Sequence, residues 1–466
     1  MAQLPPGIHG FAAMGLMREA RERPLEVFPR LHRQFGDVVR VGLGGPLLYY
    51  LLFHPDGAEQ VLAHNHKGYR KGLVNAQFEV LDGNGLVTSE GSFWQRQRRL
   101  AQPAFHRQRI AALAGVIVED AADLAEEWSE RARSGAAVDV VPEMLRLTLR
   151  IAARTLFGVE LGRDPGEIEW AVDVARDHIT HRMYRPFYPR SLPTPRNRKF
   201  WRARRLLDDV VYGIIRERRA APAEAAERHD VLTLFLQARD EETGEGMSDL
   251  ELRDEVMTML MAGHESTAVT LSWVWYLLAM HPHMQEKLRA EIDRALGGRR
   301  PTWDDLARIP YARMVVEETL RLYPTVWALS RQAIQDDEIG GYRIPAGGYA
   351  TPCAWVIHRR PDLWPEPDRF QPERFDPERA PERHRFAYFP FGGGPRKCIG
   401  SQFALAEAQL VLITLLQRFE VSLPVGEPPL ELDAQLSLRP KHGVRLRLRE
   451  IRPTPTGTVA RAARVS

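Results

Sequence analysis

The stretch Phe391-Gly-Gly-Gly-Pro-Arg-Lys-Cys398-Ile-Gly400 places a cysteine at the end of a glycine-rich bend, directly before a helix-forming run that begins at Ser401. Glycines let the backbone turn tightly and approach a flat ligand closely. Because Cys398 precedes a helix, the unpaired N–H groups and the dipole of the first turn favour an anion at its sulfur. Both effects lower the pKa of a thiol, so we expect Cys398 to act as a thiolate ligand.

A single thiolate limits the kind of metal site that this bend can build. A tetrahedral zinc site needs further ligands, and no second cysteine or histidine lies close to Cys398 in the sequence. An axial ligand to haem iron is the coordination that requires only one cysteine. The alternative is a glycine-rich loop that carries a buried, inert cysteine.

The pattern Phe-x-x-Gly-x-Arg-x-Cys-x-Gly resembles the haem-binding signature of the cytochrome P-450 family. Its five fixed positions are filled by Phe391, Gly394, Arg396, Cys398 and Gly400. The resemblance implies that these residues surround a b-type haem and that Cys398 is the axial ligand to its iron.

The composition and net charge of the chain are those of an ordinary globular protein. The 466 residues carry 64 basic and 61 acidic side chains, a net charge of +3 that is too balanced to favour nucleic-acid binding. Two cysteines exclude a disulfide framework, and Cys353 is expected to be a small buried hydrophobe. No stretch approaches twenty apolar residues, so we expect no transmembrane anchor and a cytoplasmic protein similar to the soluble, bacterial-type members of the family.

A predicted helical face before the bend carries Trp94 and Arg98, which are four residues apart. An ordinary surface helix explains this spacing equally well when it is taken alone. The family has Trp-x-x-x-Arg at this place, and the resemblance implies that both side chains bind a haem propionate. An arginine fork suits a carboxylate, and the indole N–H supplies one further donor.

A long apolar helix is predicted to begin at the capping box of Ser248 and Glu251 and to end near Met280. Its middle contains the polar run Ala262-Gly263-His264-Glu265-Ser266-Thr267. A glycine and polar groups inside a buried helix are costly, which indicates a deliberate gap. A kink with hydroxyls bonded to the preceding turn is the alternative.

The family has a similar run on the oxygen face of the haem. The resemblance implies that Ala262 borders the haem, that Gly263 leaves room for dioxygen, and that Glu265 and Ser266 relay protons. This chain has Ser266 where the family usually has threonine, and Thr267 follows it. Serine lacks the methyl group that stiffens χ1, so the coupling of oxygen activation to product formation is open to variation.

Glu318 and Arg321 are three residues apart on a predicted helix that ends before Pro324. Alone they indicate a surface ion pair. The family's Glu-Arg-Arg triad corresponds to Glu318, Arg321 and Arg374, which implies a buried structural triad that fixes the segment before the cysteine bend.

The resemblance also assigns a further haem contact and the substrate pocket. It implies that Arg331 binds a propionate. It further implies that the pocket is lined by Met259, Val326, Trp327, Ala328, Leu436 and Ser437.

A basic, aromatic-rich segment surrounds the proline-rich joint of residues 186–195. A solvated basic face is one explanation. The other is a lid that contacts anionic lipid or an acidic partner.

We therefore predict a mainly α protein with a small β lobe and a long central helix over the haem. The predicted boundaries are an N-terminal extension over 1–23, one domain over 24–450 and a disordered basic tail over 451–466. The resemblance implies a monomeric haem-thiolate monooxygenase that inserts one oxygen atom of O2 into a C–H or C=C bond of a lipophilic substrate, namely a fatty acid, terpenoid, carotenoid or polyketide. Electrons would come from a separate ferredoxin or flavodoxin-type protein with its NAD(P)H reductase.

Two other functions remain to be weighed. A peroxide-driven haem-thiolate peroxygenase usually lacks the acid–alcohol pair that Glu265 and Ser266 form. A non-catalytic haem sensor belongs to another class, and a thiolate ligand beside a proton relay suits it poorly.

Overall fold

The structure is a computed structural model of the chain. It describes residues 2–44, 47–159, 165–183, 185, 188–189, 191–220, 230–379 and 383–451. Within these residues the α-helices, numbered in chain order, are α1 (Ala13–Glu22), α2 (Pro24–Phe35), α3 (Pro55–Glu59), α4 (Glu79–Asp82), α5 (Gly91–Ala101), α6 (Arg107–Ser134), α7 (Val140–Phe157), α8 (Pro165–Met183), α9 (Pro195–Ala220), α10 (Val231–Gln237), α11 (Asp249–Met280), α12 (Pro282–Leu296), α13 (Pro310–Leu322), α14 (Ala354–Ile357) and α15 (Ser401–Leu416).

The strands are short and follow the same numbering. They are β1 (Gly7–His9), β2 (Val38–Gly44), β3 (Leu47–Leu52), β4 (Tyr69–Arg70), β5 (Val138–Asp139), β6 (Arg331–Ala333), β7 (Asp337–Ile339), β8 (Tyr342–Ile344), β9 (Tyr349–Pro352), β10 (Phe419–Ser422), β11 (Leu432–Ala434), β12 (Leu438–Pro440) and β13 (Arg445–Glu450). Helices thus dominate the described chain, as the predicted fold class requires.

The central element is α11, whose 32 residues correspond to a length of about 48 Å. It begins at the predicted capping box, where the Glu251 N–H donates to Ser248 Oγ and the Ser248 N–H donates to Glu251 Oε2. Most of its side chains are buried, because α7, α9, α13 and α15 pack around it. The predicted long central helix is confirmed.

The β lobe contains a six-stranded sheet in the order β1-β2-β3-β9-β6-β4. Strands β2 and β3 pair antiparallel, and the structure describes them on both sides of residues 45–46. Strand β1 pairs in parallel with β2, and α1 packs on α2. The predicted boundary at residue 24 therefore falls between two packed helices of one lobe.

Two predictions lie partly or wholly outside the described residues. The tail from residue 452 is not described, nor are residues 184, 186, 187 and 190 of the basic segment. Of that segment, Arg182 is buried and donates to the Gln77 side-chain oxygen at 2.9 Å, so it does not belong to a solvated face. Among the described helices none is both long and apolar enough to cross a membrane.

Candidate active site

The bend that carries Cys398 is closed by its own backbone. The Cys398 N–H donates to Phe391 O at 3.0 Å, and the Lys397 N–H donates to Gly394 O at 3.1 Å. Gly394 has a φ of +64°, and a Cβ at this position would lie 1.9 Å from the carbonyl oxygen of Leu62. Glycine is the residue that combines this backbone conformation with so close an approach.

The Cys398 side chain is accessible, yet its sulfur lies in the interior of the molecule. Burial raises the pKa of the Cys398 thiol, whereas a hydrogen bond from the Gly400 N–H and the charges of Arg98 and Lys397 lower it. Burial is the largest of these effects, so the helix start lowers the pKa of this thiol, as expected, but by less than burial raises it. A coordinated metal ion deprotonates a thiol outright, so a bound metal ion would supply the missing stabilisation.

Three basic side chains meet beside the bend. Burial and the charge of Arg396 lower the pKa of Arg331 to about 10. Burial, Arg396 and Arg331 lower the pKa of Lys71 to about 6, so this amine is mostly neutral at pH 7. The carboxylate among them is Glu90, which forms an ion pair with Arg396. In the cluster of Lys71, Arg331 and Arg396, the two arginines therefore have more positive charge than Glu90 neutralises.

Helix α5 contacts the bend through the predicted pair. The Arg396 guanidinium lies over the Trp94 ring, 4.1 Å from its centroid. One helical turn later, Arg98 Nη1 donates to Lys397 O at 3.1 Å. The spacing of Trp94 and Arg98 thus brings both side chains to the cysteine bend rather than to open solvent.

These groups fit a b-type haem. The accessible Cys398 offers an axial ligand, and Ala262 is exposed in the middle of the otherwise buried α11. The guanidinium groups of Arg98, Arg331 and Arg396 suit the propionates of the cofactor, because arginine forks bind carboxylates bidentately. The residues that would hold the cofactor therefore come from α5, α11, the start of β6 and the cysteine bend.

The hydroxyl groups in the middle of α11 bond to the preceding turn of the same helix. Ser266 Oγ donates to Ala262 O at 2.8 Å, and Thr267 Oγ1 donates to Gly263 O at 3.2 Å. This back-bonding is what the kink alternative describes. Ser266 is half-buried, whereas Thr267 is buried, so of the two hydroxyls Ser266 is the accessible one.

Glu265 is buried and accepts a hydrogen bond from Ser437 Oγ at 2.7 Å. No hydrogen bond joins Glu265 to Ser266 in the part of the chain that the structure describes. The predicted acid and alcohol are therefore neighbours in sequence that bond to different groups.

The expectation that Gly263 leaves room on the oxygen face of the haem stays a prediction. A Cβ built there would meet Leu156 of α7 at 3.8 Å, an ordinary van der Waals distance. The neighbouring protein atoms thus leave space for a methyl group at this position.

The predicted triad is assembled in the interior. Arg321 binds both oxygens of Glu318, with distances of 2.6 Å and 2.8 Å, and both side chains are fully buried. Arg374 Nε lies 3.4 Å from Glu318 Oε1. The Gln371 N–H also donates to this oxygen at 2.9 Å, so one carboxylate fixes the segment that precedes the bend.

Arg321 extends this network into the backbone of the same segment. Its guanidinium donates to His358 O at 2.9 Å, Pro367 O at 2.7 Å and Arg369 O at 3.2 Å. These bonds satisfy a buried charge, as the burial of an arginine requires. Glu318, Arg321 and Arg374 thus support the loop that leads to Cys398.

The predicted pocket residues differ in how exposed they are and in which groups they contact. Val326 is exposed, Ala328 and Leu436 are half-buried, and Met259 is buried. The Trp327 ring packs against Phe28 at 5.6 Å, and its N–H donates to Gln435 O at 3.2 Å. Trp327 therefore packs into the β lobe, and Ser437 gives its hydroxyl to Glu265.

Sequence reasoning missed three charged residues near the site. Lys71 and Glu90 belong to the cluster beside the bend, but they lie outside any family signature. Glu407 of α15 is buried, and burial raises its pKa well above the usual range, while a hydrogen bond with Thr267 opposes this. Its position nine residues after Cys398, inside an apolar helix, was the available signal.

Comparison with known proteins agrees with this geometry. The family model described as Cytochrome P450 matches residues 5–447. The crystal structure of the cytochrome P450DA haem domain superposes with a TM-score of 0.88 and 30% identity, covering 98% of this chain and 100% of that one.

Named relatives cover most of the chain as well. Cyclooctat-9-en-7-ol 5-monooxygenase of Streptomyces melanosporofaciens is 39% identical over 86% of this chain and 85% of its own length. Cyclooctatin synthase of the same species is 38% identical over 89% of both chains. Pentalenene oxygenase of Streptomyces avermitilis is 33% identical over 93% of this chain and 94% of its own length.

A helical fold around a long central helix, with a cysteine bend beside a cationic cluster, defines a haem-thiolate protein. The chain belongs to the cytochrome P450 family. It is a monooxygenase with a haem cofactor, as the resemblance of its signatures implies.

Proposed function

We propose that this monooxygenase oxidises a terpenoid-type substrate and that Cys398 is the axial ligand to the haem iron. The observation that carries the substrate class is the similarity, at 38% to 39% identity, to the enzymes named cyclooctatin synthase and cyclooctat-9-en-7-ol 5-monooxygenase. The largely apolar character of Met259, Val326, Ala328 and Leu436 supports a lipophilic molecule. Fatty acids, carotenoids and polyketides have no comparable support.

When bound, the haem supplies the oxygen-activating chemistry, and the chain positions the substrate and supplies protons. Arg98, Arg331 and Arg396 would bind the propionates. The apolar side chains of the pocket would exclude water from the reacting carbon. The accessible hydroxyl of Ser266 would hold a proton at Oγ, and the carboxylate of Glu265 would exchange protons with it.

We propose that electrons come from a separate ferredoxin or flavodoxin-type protein. Of the basic side chains on the Cys398 side, Arg96 pairs with Glu251 at 2.6 Å, and Arg99 pairs with Asp240 at 3.0 Å. Lys397 and Arg107 are exposed, so they are the stronger candidates for contact with an acidic donor. A monomer in the cytoplasm is consistent with two free cysteines.

The substrate class is tested by titrating the purified holoenzyme with cyclic terpenes, terpene alcohols, fatty acids and carotenoids. The high-spin shift of the haem absorption is measured for each compound. A shift with cyclic terpenoids and none with fatty acids supports the proposal. Saturating shifts with fatty acids alone would refute it, although the monooxygenase class would stand.

The relay is tested by comparing Ser266→Ala with Thr267→Val during turnover with NADPH and surrogate redox proteins. We expect Ser266→Ala to release more peroxide per NADPH consumed, because its accessible hydroxyl is lost. Thr267→Val should change this ratio less, since Thr267 faces the core. The reverse order would assign the relay to Thr267. Turnover with peroxide alone, at the NADPH-dependent rate, would favour a peroxygenase.

A further inference from the structure

The side chain of Ser437 joins the turn between β11 and β12 to the middle of α11. Its Oγ donates to Glu265 Oε1 at 2.7 Å, and each of the two residues is only 7% exposed. A hydrogen bond to a buried carboxylate is stronger than one at the surface, because water does not compete for either partner. This bond connects a predicted pocket residue with the predicted acid of the relay.

The turn is held on both sides by further hydrogen bonds. The Leu438 N–H donates to Thr325 O at 2.9 Å, and the Trp273 indole of α11 donates to Leu438 O at 2.9 Å. Trp327 donates to Gln435 O at 3.2 Å. The turn, the segment that carries Val326 and Ala328, and α11 therefore form one hydrogen-bonded unit.

The neighbours of Glu265 on α11 do not fix its carboxylate. The hydroxyl of Ser266 is used by Ala262 O, and that of Thr267 by Gly263 O. The charge of Glu265 raises the pKa of Arg176 of α8, ahead of the charges of Asp173 and Asp177, with which Arg176 forms ion pairs at 2.9 Å and 3.4 Å. Among the described residues, the hydroxyl of Ser437 is the group that hydrogen-bonds to the Glu265 carboxylate.

We propose that Ser437 is a positioning residue for Glu265, and that it links the wall of the substrate pocket to the proton relay. Ser437 holds the carboxylate in one orientation, and the adjacent, half-buried Leu436 is a predicted residue of the pocket wall. A substrate that presses on this turn thereby changes the position of the proton-exchanging group. The inference rests on the proposed relay through Glu265.

The experiment compares Ser437→Ala with Ser437→Thr and with Leu436→Ala, each as the haem-loaded full chain. Three quantities are measured: peroxide released per NADPH, the solvent deuterium isotope effect on turnover, and the dissociation constant from the substrate spin shift. Leu436→Ala is the matched control, because it alters the same turn without touching Glu265.

We expect Ser437→Ala to slow proton delivery about tenfold, the factor for one lost hydrogen bond to a charged group. Peroxide release and the isotope effect should both rise, while the substrate dissociation constant stays within about twofold. Ser437→Thr keeps the hydroxyl and should restore both values. Leu436→Ala should weaken substrate binding and change the isotope effect less than Ser437→Ala does, because it leaves the hydrogen bond to Glu265 in place.

Adding Ser437→Ala to the Glu265→Gln variant distinguishes a failure of the positioning role of Ser437 from a failure of the proposed relay through Glu265. If Ser437 acts through Glu265, then adding Ser437→Ala to Glu265→Gln changes neither peroxide release nor the isotope effect further. Full additivity, or a wild-type isotope effect in Ser437→Ala, would overturn the role of Ser437 alone. A wild-type isotope effect and coupling in Glu265→Gln would overturn the relay and this inference together.

Discussion

At the scale of single residues, two glycines of the site differ in what a side chain would meet. A Cβ on Gly394 would lie 1.9 Å from Leu62 O, and its φ of +64° disfavours any other residue. A Cβ on Gly263 would meet only Leu156 Cδ1, at 3.8 Å, from within a regular helix. The neighbouring protein atoms therefore exclude a side chain at Gly394 and admit a methyl group at Gly263.

We predict that Gly394→Ala abolishes haem incorporation and that Gly263→Ala does not. The first change displaces backbone around Cys398, whereas the second adds up to about 1 kcal/mol of helix propensity. Haem content is measured by the ratio of haem to protein absorbance after purification. A fully loaded Gly394→Ala protein would contradict the geometry of the bend. Loss of haem in Gly263→Ala would contradict the space that the neighbouring protein atoms leave for a methyl group.

The residues of the site were predictable where a signature fixes their chemical role. Cys398, Arg396, Trp94 and Arg98 do meet at one place. Lys71 was not predictable, because its irregular segment has no pattern and its contact with Arg396 and Arg331 depends on tertiary structure. The pairing of Ser437 with Glu265 joins residues 172 positions apart, and no local pattern indicates it.

At the scale of elements, α13 carries the buried pair of Glu318 and Arg321, and the segment before the bend depends on it. Removing one partner of a buried ion pair costs about 3–5 kcal/mol, because the other charge stays uncompensated. The same helix also carries Arg313, which is exposed and pairs with Glu317 at 3.2 Å. Exposed pairs contribute less than about 1 kcal/mol.

We therefore predict that Glu318→Gln lowers the free energy of unfolding by about 3–5 kcal/mol, whereas Arg313→Gln changes it by less than about 1 kcal/mol. The measurement is the urea unfolding midpoint, together with the rate of haem loss. Glu318→Gln should also accelerate haem loss, since Gln371 and Arg321 hold the segment through the lost carboxylate. Equal midpoints for the two variants would show that the triad is not structural.

The long helices were predictable from capping and periodicity. Helix α11 begins one residue after its N-cap Ser248 and ends at Met280, as predicted. The sheet order was not predictable, because β9 lies between β3 and β6 only after the chain has folded over about three hundred residues. Strand β1 has three residues and too little pattern to be recognised.

At the scale of the whole molecule, buried groups on different elements titrate with opposite effects on stability. Burial lowers the pKa of His358 to about 3, and its Nε2 accepts a hydrogen bond from the Phe389 N–H at 3.0 Å. Burial raises the pKa of Glu255 to about 8. Between these values the native state binds fewer protons at His358 and more protons at Glu255 than the unfolded chain does.

The direction in which each group changes the free energy of unfolding with pH follows from this difference in bound protons. The unfolded histidine takes up a proton below about pH 6.5, so His358 destabilises the fold as the pH falls. Glu255 retains its proton up to about pH 8, so it stabilises the fold as the pH falls towards its unfolded value. The two groups therefore oppose each other in mildly acidic solution.

We predict opposite shifts for two variants when the pH is lowered from about 7 to about 5.5. Relative to wild type, Glu255→Gln should lose about 2 kcal/mol of unfolding free energy, and His358→Gln should gain about 1 kcal/mol. Urea unfolding at both pH values measures the change, so a constant cost of each substitution cancels. Shifts of the same sign would contradict the burial of one of the two groups.

The central claim is that Cys398 ligates the haem iron of this cytochrome P450. The most direct measurement is the ferrous–CO difference spectrum of the wild-type protein and of Cys398→Ser. We predict a band at about 450 nm for the wild type and its loss in the variant, since thiolate ligation produces this band. A band at about 420 nm for freshly purified, active wild-type protein, or an unchanged band in Cys398→Ser, would contradict the account.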